Sequence, residues 1–399
     1  MVRSASLFSQ LLRHFPRLEF ASLVKKHGAE RGAKGFTCWT QLVAMTFCHL
    51  ARADSLREIC NGLASCLGKL RHLGITRRPK KSTLSYANSH RPAGLFEDLF
   101  WQVLGRFRAS ESWGAAVGKK KFRFKNPLVS LDSTLISLSL SLFEWAKYRR
   151  AKGGVKVHVL LDHADYMPNY VLITEARRSD VKIAPKLALS EGSIVVMDRA
   201  YNDFSLFERW SEQGVFFVTR MKKGILYEVV ESRRLPAHRP IRADEIIRLT
   251  SERARKSCPR LLRRIVVWDE QNQRDIVLIT NHLAFGATTL AEIYRQRWQI
   301  ELFFKALKQN LKIKTFVGTT ENALRIQIWT ALLALLLLRW LHYLSRARWS
   351  LSNLASMLRL NLFTYRDLAE WLDEPFETPP EPTPPQQFSL DLPNFGQPT

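Results

Sequence analysis

Cysteine is scarce in this chain of 399 residues, which contains only five. They are Cys38, Cys48, Cys60, Cys66 and Cys258, and they form no CxxC pair and have no histidine at zinc-finger spacing. An odd number of widely spaced cysteines argues against a disulfide framework and against structural zinc. The sequence therefore predicts reduced thiols packed in helices.

Acidic residues are too few to balance the basic ones. The chain has 36 Asp+Glu against 61 Lys+Arg, which gives a net charge of +25 and a pI of about 10.2. Such a surplus drives association with a polyanion such as nucleic acid, although it does not determine the fold. With 46% hydrophobic and 24% charged residues, the composition excludes a disordered chain and a fibrous rod.

Long apolar runs are absent as well. The longest, Ala331 to Leu338, is well short of the roughly 20 residues that a bilayer span needs, and Arg339 follows it directly. Near the N-terminus, charged residues interrupt the chain before the apolar core of a signal peptide develops. The sequence therefore predicts a protein without a membrane span.

The first quarter of the chain, residues 1–110, is predicted to be a helical domain, because its apolar residues recur at spacings of three and four. Its excess of basic residues predicts that this domain binds DNA. It has 18 Lys+Arg against 6 Asp+Glu, a surplus of 12. Basic residues cluster around a proline turn ahead of a helix signal; they are Arg71, Arg77, Arg78, Lys80 and Lys81. Two interpretations stay open, namely phosphate contact at a helix N-terminus and a solvated charge run.

Beyond residue 125 the pattern changes to short β-branched strands that alternate with helices, which predicts a mixed α/β layer. The predicted divisions are an α/β core over 125–223 and 290–345, a β-rich insertion over 224–289 and a C-terminal helical segment over 346–372. The last segment, 373–399, has eight prolines and five acids but no Lys or Arg, which is typical of a disordered tail.

Two aspartates end short apolar strands in the same way. Asp132 follows Val129–Leu131, and Asp198 follows Val195–Met197. Ligands of α/β sheets bind outside the carboxyl ends of strands, so these two carboxylates can converge on one site. The alternative is that each is merely a turn or cap residue.

A long helix is predicted over 289–312, with four polar residues on one narrow stripe beside its buried face. They are Tyr294, Arg297, Glu301 and Lys308. The alternative is a solvated stripe in which Glu301 pairs with Arg297 or Lys305. Three converging carboxylates would repel one another unless a cation lay between them. Mg²⁺ prefers oxygen ligands, and a pair of such ions can promote in-line phosphoryl displacement.

The helix sequence YRQRWQIELFFKALKQNLKI is similar to the signature of the IS4-family DDE transposases of bacterial insertion sequences, at all four polar positions. The segments LVSLDST, GGVKVHVLLDH, VVMDRAYND and KTFVGTTENALRIQIWTAL also resemble that family. The N-terminal segments FSQLLRHFP and STLSYANSHRP resemble the helical domain that precedes the catalytic domain in one branch of it.

The resemblance implies an RNase H-like catalytic core with a mostly β insertion, preceded by a helical domain. It implies that Asp132, Asp198 and Glu301 bind two Mg²⁺ ions, with Mn²⁺ as a substitute. Tyr294, Arg297 and Lys308 would then contact DNA at the terminal inverted repeats, cleaved DNA would be joined to target DNA, and a hairpin intermediate is implied. The implied assembly is a homodimer in the bacterial cytoplasm, associated with the nucleoid.

Two further residues are weaker candidates. Trp268 could stack on a base flipped out of the duplex, or it could pack in the core of the insertion. His158 could face the site or be a core histidine. Two rival functions also stay open, a structure-specific nuclease on the same core and a DNA-binding regulator of transposition that does not cleave.

Overall fold

The computed structural model describes residues 5–66, 69–116, 122–138, 147–149, 152–178, 180–237, 239–311, 316–347 and 349–376. Most of the predicted proline-rich tail, residues 377–399, lies outside the described residues. All five cysteines are free thiols, four of them buried. Helices occupy both ends of the described chain, and a mixed sheet with its covering helices occupies the middle.

Seven α-helices occur in the described part of the first 116 residues. They are α1 (Leu7–Leu12), α2 (Arg17–Lys26), α3 (Cys38–Ala51), α4 (Leu56–Ala64), α5 (Lys81–His90), α6 (Gly94–Arg108) and α7 (Glu111–Ala116). Three begin at a hydroxyl side chain, because Ser6, Thr37 and Ser55 each accept a hydrogen bond from the backbone N–H three residues later. Such caps satisfy N–H groups that the helix itself leaves unpaired.

The C-terminal helices complete the same bundle. They are α12 (Glu321–Leu344), α13 (Leu351–Asn361) and α14 (Leu368–Asp373). The backbone N–H groups of Leu7 and Phe8 bond to the carbonyls of Thr364 and Leu362, at 3.0 and 2.8 Å, which ties the two ends of the chain together. The helical domain is therefore built from both ends and not from the first 110 residues alone.

Helix α12 is the apolar centre of this bundle and packs against α3, α5, α6 and α7. Among the described helices it is the one long and apolar enough to cross a membrane. However, 89% of its 18-residue apolar window is buried inside the fold. We interpret α12 as a core helix that also packs on the catalytic sheet, since the two share one hydrophobic cluster.

The described strands form one ten-stranded sheet. They are β1 (Leu128–Leu138), β2 (Lys147–Arg149), β3 (Lys152–Asp162), β4 (Pro168–Glu175), β5 (Ile194–Met197), β6 (Phe216–Arg220), β7 (Tyr227–Ser232), β8 (Ile241–Leu249), β9 (Leu262–Asp269) and β10 (Arg274–Thr280). Strands β1, β3 and β4 are antiparallel neighbours, whereas β1, β5 and β6 run parallel. The order β4-β3-β1-β5-β6 confirms the predicted RNase H-like core.

Helices cover both faces of this core. They are α8 (Phe204–Glu212), α10 (Ala287–Arg295) and α11 (Trp298–Lys305). Residues Val129 and Leu131 of β1 pack in the cluster of α8. Leu128 packs in the cluster of α10, and Ile136 in that of α11 and α12. Alternate residues of a strand point to opposite faces, so the even-numbered residues of β1 face α10 and α11.

The insertion continues the core sheet instead of forming a separate unit. Strand β10 pairs antiparallel with β6, and β9, β8 and β7 follow in order toward the edge. One short helix, α9 (Glu252–Ser257), interrupts the strands. The predicted mostly β character of the insertion is confirmed, and its hydrogen bonds attach it directly to the last core strand.

Two predictions about local structure were wrong. Strand β1 does not end at Asp132 but continues to Leu138, because the antiparallel pairing with β3 extends along its whole second half. The long helix predicted over 289–312 is broken at Gln296 and Arg297, where the N–H of Arg297 bonds to the carbonyl of Tyr294, only three residues back. After α11 the chain continues as a π-helical turn over Ala306–Asn310.

Candidate active site

The register of the sheet brings Asp132 and Asp198 side by side. The parallel pairing of β1 with β5 ends at Leu131 and Met197, so the two aspartates are the next residues on neighbouring strands. The backbone of Asp198 is still extended, with φ −76° and ψ 161°. Both aspartates therefore lie on the sheet face opposite to Leu131 and Met197, which is the face covered by α10 and α11.

Helix α11 brings Glu301 to the same place. Its residues Ile300, Phe303 and Phe304 are buried against the sheet. This packing leaves Glu301 at the margin of the buried face, where 34% of its side chain is exposed. The third acid is thus brought to the site by the apolar contacts of the residues on either side of it.

Arg297 connects two of the three acids. Its Nη2 lies 2.6 Å from Oε1 of Glu301, and its Nη1 lies 3.8 Å from Oδ2 of Asp132. Its Cζ lies 5.9 Å from the centre of the Tyr294 ring, so the guanidinium is bordered by an aromatic group as well. The carboxylates of Asp132 and Glu301 therefore face a single positive charge.

An open cleft of about 320 Å³ lies beside these groups. It is lined by Asp132, Ser133, Thr134, Glu301, Phe304, Lys305, Lys308 and Gln309. The Lys308 ammonium donates a hydrogen bond of 2.8 Å to the carbonyl of Leu135 on β1. The cleft thus combines two carboxylates with two lysines, a combination that fits a cation and an anionic phosphate together.

Burial determines the protonation of the acid on β1. Loss of solvent raises the pKa of Asp132 to about 6. The backbone N–H of Ser133, which donates to Oδ1 at 2.8 Å, and the nearby Arg297 both oppose this rise. The carboxylates of Asp198 and Glu301 add to it by repulsion. Additional positive charge at this point would favour the ionised form.

The donor chemistry of the site fits a divalent cation, although the carboxylates are not gathered into a closed set. Among the residues that the structure describes, no three His, Cys, Asp or Glu side chains lie close enough together to hold a metal ion. Arg297 lies between two of the acids instead, and its buried Nε has no hydrogen-bond partner among the described residues. Hard carboxylate oxygens that converge on one positive charge are the ligands that Mg²⁺ takes in proteins.

Sequence comparisons identify the family. A family profile described as a Transposase DDE domain matches residues 123–337, more than half of the chain. The chain belongs to the DDE transposase family. It is a DNA transposase, a metal-dependent enzyme that cleaves and joins DNA. A second profile, described as a domain of unknown function, matches residues 3–76.

Relatives of this transposase include proteins of bacterial insertion sequences. It is 32% identical over 296 residues to the transposase y4zB of Sinorhizobium fredii, with 73% of this chain and 80% of that protein covered. It is 35% identical over 227 residues to a transposase for insertion sequence element IS5377 of Geobacillus stearothermophilus, with coverages of 56% and 59%. The transposase InsG for insertion sequence element IS4 of Escherichia coli is 26% identical over 177 residues, with coverages of 41% and 38%. The predicted IS4 relationship is confirmed.

A solved structure of piggyBac transposase, a synaptic complex with hairpin DNA, aligns with a TM-score of 0.40 at 9% identity. That alignment covers 93% of this chain and 81% of the other.

The basic cluster, Trp268 and His158, which the sequence also suggested as candidates, lie outside the cleft. Four basic residues are exposed at the start of α5; they are Arg77, Arg78, Lys80 and Lys81. Trp268 lies half-buried on β9 with the Arg242 guanidinium 3.7 Å from its ring centre. His158 is fully buried, and its Nε2 lies 3.0 Å from the Thr174 hydroxyl. It is a core histidine, as the alternative interpretation stated.

Sequence reasoning missed a polar network directly behind Asp132. Asp180 accepts a hydrogen bond of 2.8 Å from the Ser133 hydroxyl and lies 3.2 Å from the Lys156 ammonium and 3.4 Å from His158 Nδ1. The alternation of Lys156 and His158 on β3 was the available signal, since both had to share one face. The sequence suggested Lys305 only as a partner of Glu301, whereas in the structure Lys305 lines the cleft.

Proposed function

We propose that this transposase binds the terminal inverted repeats of an insertion sequence, cleaves the DNA at its ends and joins them to target DNA. The observation that supports the proposal is the convergence of strand β1 and helix α11 on one cleft, to which they contribute Asp132 and Glu301. Asp198, the residue after β5, adjoins Asp132 in the register of the sheet, and lysines line the same cleft. A protein that only bound DNA would gain nothing from acids turned toward phosphate.

Asp132, Asp198 and Glu301 are the proposed ligands of two Mg²⁺ ions, for which Mn²⁺ would substitute. When bound, such ions activate a water or a 3′-OH and stabilise the leaving oxygen of an in-line displacement. The protein side chains have other tasks. Arg297 holds Glu301 and Asp132 in mutual orientation, and Tyr294 packs beside it. On DNA binding, we propose that Tyr294, Arg297 and Lys308 contact the strand near the scissile phosphate.

Synapsis of two element ends requires two catalytic sites, so we propose a homodimer on DNA. The proposed location is the bacterial cytoplasm, in association with the nucleoid. The hairpin intermediate and base stacking by Trp268 belong to the proposal too. The Arg242 guanidinium would have to leave the Trp268 ring before a base could stack there.

Strand transfer separates this proposal from its two rivals. A structure-specific nuclease on the same core would cleave without joining, and a regulator would bind the ends without cleaving. The assay is incubation with Mg²⁺ and a supercoiled plasmid that carries the DNA flanking the gene. The transposase is expected to excise the element and to insert it into a second plasmid.

Glu301→Gln is the decisive variant, because it removes a negative charge and a ligand oxygen without changing the size of the side chain. We expect cleavage to be abolished while binding to element ends and the midpoint of thermal unfolding stay unchanged. Asp132→Asn and Asp198→Asn should behave in the same way. The matched control is Glu292→Gln on α10, outside the cleft, and it should cleave normally. Retained cleavage in any of the three variants would disprove the assignment.

A further inference from the structure

A stretch of the helical domain lacks acidic residues entirely. Residues 59–96 contain no Asp or Glu, although at the average of 36 acids in 399 residues about three would fall there. The same 38 positions hold seven basic residues; they are Lys69, Arg71, Arg77, Arg78, Lys80, Lys81 and Arg91. No acidic side chain within the stretch offsets this positive charge, and helix α5 lies in its second half.

Helices α3, α4 and α5 pack against one another as a three-helix unit. Ile59 of α4, Leu84 of α5 and Leu42 of α3 belong to one buried cluster. In three-helix DNA-binding modules, the third helix lies in the major groove. Here the connection to that helix, residues 65–80, is longer than the turn of a helix-turn-helix motif. Like such a module, the unit consists of three mutually contacting helices, and its last connection is longer.

Helix α5 is held firmly on its inner side. The side-chain amide of Asn322, in the first turn of α12, donates to the carbonyls of Asn88 and Arg91 at 2.9 and 2.7 Å. Buried Asn88 also accepts a hydrogen bond of 2.8 Å from Gln41. These bonds fix the helix, so its outer face keeps one orientation.

The outer face of α5 is polar and carries one exposed aromatic pair. The exposed residues are Lys81, Ser82, Tyr86 and His90. Tyr86 is 66% exposed, and its ring stacks on His90 with the centroids 4.0 Å apart. The His90 ring is held further by a hydrogen bond of 2.9 Å between its Nδ1 and the Tyr86 carbonyl. The N-cap residue, Lys80, makes no side-chain capping bond, so the first N–H groups of the helix are not satisfied by a cap.

We propose that α5 is the recognition helix of this transposase and that it enters the major groove of duplex DNA. Basic residues at its N-terminal end bind the phosphates that border the groove, and Tyr86 and His90 contact the base edges. A helix with its side chains is about 10–12 Å in diameter, which the major groove, about 12 Å wide, can admit. The inference rests on the proposed function, because it identifies the element that would read the terminal repeat.

The first test separates base contacts from phosphate contacts. The probes are duplexes copied from the DNA on either side of the gene and shuffled duplexes of the same composition. Replacing both Tyr86→Ala and His90→Ala should weaken binding to the flanking duplexes by about tenfold to a hundredfold, and binding to shuffled duplexes should not change. An equal loss on both probes, or no loss, would overturn the proposal, as would a full-length protein without any preference for the flanking duplexes.

The second test uses charge. Arg77→Glu with Arg78→Glu should weaken binding to both kinds of duplex and reduce the salt dependence of binding by about two units. The matched control is Arg31→Glu with Lys34→Glu, which makes the same change at exposed positions outside α5. If the control weakens binding equally, only total charge matters and α5 has no special role. Thermal unfolding midpoints verify that all variants fold.

These binding measurements are independent of the cleavage assay. A protein that prefers its flanking duplexes but never cleaves them would contradict the proposed function and leave the recognition helix intact. A protein that cleaves plasmids without any dependence on Tyr86 or His90 would contradict the recognition helix and leave the proposed function intact.

Discussion

The catalytic cleft and the inserted sheet differ in how completely their buried charged groups are hydrogen-bonded. In the insertion, Arg263 and Asp244 form a bidentate ion pair in which both N–O distances are 2.7 Å, and the side chains are only 2% and 5% exposed. In the cleft, Arg297 lies 2.6 Å from Glu301 but 3.8 Å from Asp132, and its Nε has no partner among the described residues. The insertion satisfies its charges, whereas the cleft leaves them incompletely bonded.

The backbone follows the same division. Strand β9 pairs with β8 on one side and with β10 on the other over most of its length. The helix that carries Glu301 is broken just before it and ends in a π-helical turn. Irregular helix geometry and incompletely bonded charges are typical of functional sites, because such groups can exchange their partners for a ligand. A saturated ion pair is a structural feature, since nothing is left to bind.

The largest expected effect on stability is in the insertion. Asp244→Ala leaves the buried Arg263 guanidinium without its counter-charge, so the free energy of unfolding should fall by about 3–5 kcal/mol. Urea unfolding measures this. The control is Glu252→Ala, which breaks the exposed pair with Lys256 on α9 and should cost less than about 0.5 kcal/mol. If Asp244→Ala is as mild as this control, the contrast between the two regions is wrong.

A second, smaller effect concerns buried histidines, which the two regions have in common. Burial lowers the pKa of His158, near the cleft, and of His282, which follows β10 in the insertion, to about 4 in each case. An unfolded histidine titrates near pH 6.5. Between these values the unfolded chain binds protons that the folded chain refuses, so stability must fall as the pH is lowered from 6.5 toward 4.

The expected loss is about 1.4 kcal/mol per pH unit and per histidine, or about 2 kcal/mol for each between pH 6.5 and 5. His282→Gln should remove one such contribution and flatten the dependence of the unfolding free energy on pH. Urea unfolding at a series of pH values measures it. An unchanged slope in His282→Gln would mean that His282 already binds a proton in the folded state.

The sequence was informative where functional residues lie close together along the chain. The short apolar segments before Asp132 and Asp198 and the i, i+4 spacing of Arg297 and Glu301 could be read directly, and the parallel register then places Asp132 beside Asp198. The break at Gln296 could not be read, because it depends on which backbone hydrogen bonds form. Across this break, residue positions calculated at 100° per residue no longer follow a single helix. The predicted polar stripe of Tyr294, Arg297, Glu301 and Lys308 was therefore only approximate.

Long-range packing was not readable at all. Nothing local indicates that the N–H of Phe8 bonds to the carbonyl of Leu362 or that β10 pairs with β6. Such contacts join segments that are distant in sequence, and each segment's pattern would be equally satisfied by another partner. The domain divisions from the sequence therefore stay predictions, while the helical bundle drawn from both ends is a result of the structure.

The smallest effect on stability is expected for Lys308, at the margin of the cleft. Its ammonium donates to the Leu135 carbonyl at the surface, so Lys308→Ala should change the free energy of unfolding by less than about 0.5 kcal/mol. Its proposed contact with DNA phosphate predicts weaker binding, a salt slope reduced by about one unit and slow cleavage even at saturating DNA, because a misplaced phosphate reacts slowly. Lys25→Ala, at an exposed position on α2, should leave cleavage at saturating DNA unchanged. If Lys308→Ala cleaves and binds DNA like Lys25→Ala, Lys308 has no role in DNA binding. The functional charges of the cleft would then be those of the three acids and Arg297 alone.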